Sequence, residues 1–175
     1  DRAKDYFNRA ADACREGGVS YVEFEVAYDG LAVVINSKNN WVDYLTVAEL
    51  KKIWEPTAQG VITKWSEVRD GFPDEEIQLF GPGTDSGTFD DFTEVINGKP
   101  ESSRGDYTAS EDDNTTVEGV SSSKGGLGYL GLAYYEENKD KLKIVPIKSS
   151  NSAEAVIPSK ETVLGGTYTP LSRPL

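Results

Sequence analysis

Hydrophobic positions along the chain fall into short runs punctuated by glycine, proline and asparagine, and both periods of regular structure occur. Residues 3–16 place Tyr6, Ala10, Ala13 and Cys14 on one side at helical spacing, and Gly17-Gly18 ends the pattern. Tyr21, Phe24 and Val26 belong to a β-rich run. Asp29-Gly30 reads as a turn, and Leu31-Ala-Val-Val-Ile35 as an uninterrupted apolar strand. A strand apolar on both sides is one covered on both faces, as in an α/β sheet. Thr46-Val-Ala-Glu49 is a capping box, in which a hydroxyl and a carboxylate each satisfy an amide at a helix start. It predicts a helix through Ile53-Trp54 that stops before Pro56.

Ile77–Phe80 reads as another strand. After Gly81-Pro-Gly-Thr-Asp-Ser-Gly-Thr88 the helical period returns, with Phe89, Phe92, Val95 and Ile96 on one face and Asn97-Gly98 closing it. Residues 99–114 are polar and loop-like, and Asn114 is placed to cap a helix over 115–123. A glycine-spaced strand over Leu127–Leu132, a helix over 133–140, a strand over Leu142–Ile147 and a capped helix over Ser159–Leu164 complete the series. Alternating strand and helix, without repeats or a low-complexity linker, predicts a single α/β domain over 1–175.

Composition narrows the function. The chain has 175 residues, 37% of them hydrophobic, and 18 basic against 30 acidic side chains, hence a formal charge of −12. That is enough apolar matter for a core, and no run approaches the ~18 residues of a membrane span. A pI near 4.5 without a basic run makes nucleic acid and anionic membrane surfaces poor partners. Histidine is absent, which removes Ser-His-Asp and Cys-His catalysis and most zinc sites. With no paired base and nucleophile and no metal cluster, the chain reads as a non-enzyme without a cofactor. One cysteine, Cys14, makes no internal disulfide and reads as a half-buried helix residue. The lack of methionine and the start at Asp1 suggest a fragment or a processed product.

The strand–glycine loop–helix junction over 77–97 carries the most chemistry. Gly81, Gly83 and Gly87 let a ligand approach closely, and Ser86 and Thr88 put hydroxyls at the first helical turn, where unpaired N–H groups point outward. Such a turn suits a small anion. The same residues also fit plain helix caps. The Gly-Lys-Ser/Thr ending of a Walker loop is missing. Asp85-Ser86-Gly87-Thr88 has the letters of an aspartic-protease triplet, but a dyad needs two, and only one is present. Glu111-Asp112-Asp113-Asn114 lacks EF-hand spacing and reads as a solvated acidic loop. Arg104 stands alone in its acidic stretch, either as a surface residue or as a guanidinium fork for an oxyanion or for Asp85. Trp41, Trp54 and Trp65 read as core residues.

Five strings together resemble one family. They are Val26-Ala-Tyr-Asp-Gly-Leu-Ala-Val-Val-Ile35, Leu45-Thr-Val-Ala-Glu-Leu-Lys-Lys-Ile-Trp54, Gly81-Pro-Gly-Thr-Asp-Ser-Gly-Thr-Phe89, Leu127-Gly-Tyr-Leu-Gly131 and Tyr168-Thr-Pro-Leu-Ser-Arg-Pro-Leu175. In this order they look like the second lobe of the periplasmic phosphate-binding proteins that serve phosphate ABC transporters, from residue 19 onward. The resemblance implies a type II periplasmic-binding-protein lobe with a mixed sheet flanked by helices, in an extracytoplasmic receptor. Its implied partners are inorganic phosphate, an ABC permease and a first lobe that lies upstream of residue 1. Ser86, Gly87 and Thr88 match the family's Ser-Gly-Thr donors, and Asp85 beside them joins the candidate phosphate-binding set. Many members carry an arginine four residues before that serine; here the position is Pro82, and Arg104 is the candidate substitute. The carboxylate that accepts the phosphate proton belongs to the absent lobe, so selection against sulfate is expected to fail here.

The surface charge does not forbid an anion, because local dipoles act at contact distance while surface charge is screened over ~8 Å. Affinity of an isolated lobe is expected to be millimolar or weaker, about −4 kcal/mol. The rival reading is an extracellular interaction module that kept the fold and lost its ligand.

Overall fold

In the computed structural model, residues 2–20, 22 and 27–174 are described, without the side chains of 2–8 and 174. The β-rich run through Tyr21, Phe24 and Val26, and the Tyr6 side chain, lie outside the described residues.

Helix α1 (Arg2–Glu16) precedes strand β1 (Tyr28–Asn36). Among the described α1 side chains Ala11 is buried, whereas Ala10 and Ala13 are exposed and Cys14 is half-buried, so the helix is rotated from the expected stripe. From Leu31 to Ile35, β1 is buried throughout, as an uninterrupted apolar strand requires. Asp29-Gly30 is not a turn: both residues lie within β1, opposite Arg173 and Ser172 of β8 (Ser172–Pro174). The glycine serves packing here, since a Cβ on Gly30 would lie 2.8 Å from Val163 Cγ2 of α7 (Lys160–Leu164).

Strands β3 (Gln78–Gly81), β4 (Thr108–Ala109), β5 (Gly126–Gly131) and β6 (Leu142–Ile144) join β1 in the order β4-β3-β5-β1-β6. β3 pairs in parallel with β4 and β5, while β1 runs antiparallel to β5 and β6. The expected strand over Leu142–Ile147 is two pieces: after β6, Pro146 interrupts the ladder, and β7 (Ile147–Lys148) pairs with β2 (Leu45–Thr46).

Helix α2 (Val47–Trp54) begins as the capping box predicts, Glu49 N donating to Thr46 Oγ1 at 3.1 Å and Thr46 N to Glu49 Oε2 at 2.8 Å. The short α3 (Trp65–Val68), α4 (Gly87–Asn97), α5 (Asp113–Ser122) and α6 (Leu132–Glu137) complete the layers around the sheet. Asp112, not Asn114, caps α5 by accepting from Asn114 N; the Asn114 side chain instead accepts from the Tyr134 hydroxyl at 2.6 Å. Among the described residues, no helix is long and apolar enough to cross a membrane.

Candidate functional site

Because β3, β4 and β5 are parallel, their carboxyl ends lie on one edge of the sheet, and the chain leaves each of them toward α4, α5 and α6 respectively. Helix N-termini therefore gather at that edge, where open α/β sheets take their ligands. β1 contributes too: Leu31 pairs with Gly131 at the end of β5, so Tyr28–Gly30 and their β8 partners form a ribbon running past the sheet edge.

Within the Gly81–Thr88 loop most amides are already engaged. Gly83 N donates to Ser110 O at 3.2 Å, Ser86 N to Gly83 O at 3.2 Å, and Asp85 N to Glu111 Oε1 at 3.3 Å. Ser86 caps α4, its Oγ accepting from Thr88 N at 3.2 Å. The Gly87 amide and the Thr88 hydroxyl have no partner among the described residues, and Gly87 is solvent-exposed with open space beside its Cα. The positive end of the α4 dipole lies at these free donors. Asp85 is exposed, and its amide is engaged by Glu111.

Aromatic packing fixes the helix behind this opening. Phe92 stacks on Tyr129 of β5 with centroids 3.7 Å apart, and Trp54 meets Phe92, Tyr107 and Tyr129 edge-on at 5.7, 5.4 and 5.0 Å. At the other side of α4, Asp91 accepts from Arg173 of the ribbon, and Asp29 lies 4.0 Å from the same guanidinium. Burial pushes the Asp91 carboxyl above its ordinary range despite the arginine. Arg173 was not singled out in the sequence. Its signal was faint, an arginine in a strand that becomes informative only once the strand is paired with β1.

Arg104 is not brought to this opening. It is 4% exposed; Nε and Nη2 bond Asp106 at 2.5 and 2.8 Å, and Nη1 donates to Ile53 O and Ile62 O at 3.0 and 2.9 Å. No hydrogen bond or ion pair joins it to the Gly81–Thr88 loop. It caps the carboxyl end of α2 instead, where a cation complements the dipole and free carbonyls want donors. None of these contacts supports the expectation that it replaces the arginine missing at Pro82. Among the described residues no group of three or more His, Cys, Asp or Glu side chains is placed to hold a metal ion.

The chain is 50% identical over 164 residues to the protein SphX of Synechococcus elongatus, covering 94% of this chain and 48% of that protein. It is 39% identical to the phosphate-binding protein PstS of Staphylococcus saprophyticus, with 90% of this chain and 47% of that one covered. Thus the chain spans about half the length of the curated relatives it matches. A crystal structure described as a possible phosphate binding protein, from Planctomyces limnophilus, superposes with TM-score 0.86 at 57% identity, over 95% of this chain and 58% of that one. PstS from Borrelia burgdorferi superposes with TM-score 0.68 at 26% identity, over 85% and 56%. The model of the PBP superfamily domain matches residues 4–175, and the chain belongs to that superfamily.

Proposed function

We propose that this chain is the phosphate-holding lobe of an extracytoplasmic solute receptor for an ABC-type phosphate importer, and not an enzyme. The first lobe and the permease are its partners in this reading. The observation that carries it is the Ser86-Gly87-Thr88 turn, a helix N-terminus at the carboxyl edge of the sheet where Gly87 is exposed and its amide and the Thr88 hydroxyl have no partner among the described residues. Relatives named phosphate-binding proteins support the choice of anion. Phosphate sits against Gly87 N–H, Ser86 Oγ and Thr88 Oγ1, and Asp85 shapes the loop through its amide. Arg104 acts at a distance, by fixing the end of α2.

An amide NMR titration with phosphate, with sulfate as control, tests this. Saturable shifts confined to 84–90, with a Kd of about 1 mM or weaker, are expected; none up to tens of millimolar defeats the reading. Ser86→Gly sharpens it, because glycine caps a helix almost as well as serine at a cost of only a few tenths of a kcal/mol. Its expected result is a roughly tenfold or greater loss of phosphate affinity at nearly unchanged stability, since one bond to a charged group contributes about 1.5 kcal/mol. Unchanged affinity favours the interaction module, for which Pro82 in the arginine's place also speaks.

A further inference from the structure

One acidic side chain at this edge has an unusual seat. Glu111, just after β4, lays its carboxylate over Gly83 and accepts from Asp85 N at 3.3 Å. A Cβ on Gly83 would lie 2.0 Å from Glu111 Oε1, so the seat exists only because residue 83 is glycine. The contact is not needed to hold the two segments together. Gly83 N to Ser110 O at 3.2 Å, Ser110 N to Gly81 O at 3.1 Å and the Tyr107 hydroxyl to Pro82 O at 2.9 Å already fasten them. Nor does a cation explain it, since Glu111 has no ion pair among the described residues. An exposed carboxylate thus rests on an amide of a loop whose other donors suit an anion.

We propose that Glu111 is a built-in competitor for the oxyanion, a resident carboxylate that holds the donor loop when the site is empty and turns out to solvent when phosphate enters. This rests on the reading that phosphate binds at Ser86–Thr88. Asp85 N lies two residues from Gly87 N, at most ~7 Å along the chain, so carboxylate and phosphate cannot both occupy the loop without repulsion. The seat is exposed, which makes eviction cheap and places the competitor's effect within the range of a screened surface charge. Its consequence is a receptor lobe with affinity deliberately below what its donors allow, for any oxyanion of this size.

The test is the same amide titration on the chain and on three variants. Glu111→Gln keeps the shape and an acceptor for Asp85 N while removing the charge; phosphate and sulfate are both expected to bind about three- to tenfold more tightly. Gly83→Ala, whose methyl pushes the carboxylate from its seat, is expected to shift affinity in the same direction by less. Glu154→Gln removes one charge from an exposed loop after β7 that no hydrogen bond or ion pair joins to Gly81–Thr88, and is expected to change affinity less than ~1.5-fold. In the parent chain the Asp85 amide shift is expected to follow phosphate saturation as its acceptor leaves. Equal or weaker phosphate binding by Glu111→Gln, with saturable binding in the parent, overturns the competitor and leaves the phosphate reading intact. No saturable response in either protein overturns both.

Discussion

Replacing Trp54 by alanine is expected to destabilise the protein by about 4 kcal/mol, the middle of the range for truncating a buried aromatic side chain. At roughly 2–4 °C per kcal/mol for a chain of this size, that lowers Tm by about 10 °C. Trp54 is 1% exposed and is the common neighbour of Phe92, Tyr107 and Tyr129, which come from α4, the segment before β4, and β5. Its removal therefore opens one cavity against three elements, and they cannot all close on it. Trp54→Phe is the informative partner variant. The indole Nε1 has no acceptor among the described residues, so phenylalanine sacrifices no hydrogen bond there. Its cost is expected to stay below about 1.5 kcal/mol. Urea unfolding of the two variants checks this; equal losses would mean that phenylalanine does not fill the site and that the full indole volume is required. Because Phe92 sits on the same helix as Ser86–Thr88, the alanine variant is also expected to weaken anion binding.

The way this cluster forms shows what the sequence disclosed. The residues of α4 were readable because Phe89, Phe92 and Ile96 recur at helical spacing and Gly98, at φ +82°, ends the helix. Thr46 and Glu49 announced α2 because both halves of the box lie within four residues. Local chemistry of that kind survives folding. What depended on distant residues did not show. Asp29-Gly30 has the letters of a turn, but β8, some 140 residues later, pairs with it and draws it into a strand. Asn114 was as good a cap as Asp112 until Tyr134 took its side chain. The loop Gly81–Thr88 was visible as a donor set from its glycines and hydroxyls. Its resident carboxylate was not, because Glu111 reaches Asp85 across the parallel β3–β4 pair. The same limit applies to Arg104, whose isolation in an acidic stretch suggests an anion ligand, whereas its partners in the fold are Asp106 and carbonyls of α2 and the loop after it.

Arg104→Ala therefore separates two roles that the sequence left together. Removing the guanidinium leaves the buried Ile53 O and the partly buried Ile62 O without their donor, at about 1–3 kcal/mol for the first and less for the second. Asp106 is one-third exposed and rehydrates at smaller cost. A net loss of about 3 kcal/mol is expected, with Arg104→Lys recovering less than half, because a point charge cannot serve Asp106 and two carbonyls at once. The pair also sets a sign for pH. The bonded guanidinium holds the Asp106 carboxyl below its ordinary 3.8. A lowered folded-state value contributes stability that is complete above the unfolded-state value and fades as pH falls through the folded one. The gap between parent and variant is therefore expected to be full from about pH 5 upward and to narrow below about pH 4. It does not vanish, since the carbonyl bonds need no carboxylate. Urea unfolding across that range, with a phosphate titration at neutral pH, gives the decision. Stability lost with phosphate affinity kept within twofold assigns Arg104 to the end of α2. Affinity lost in a variant of unchanged stability would instead return Arg104 to the anion, against the geometry of its four hydrogen bonds.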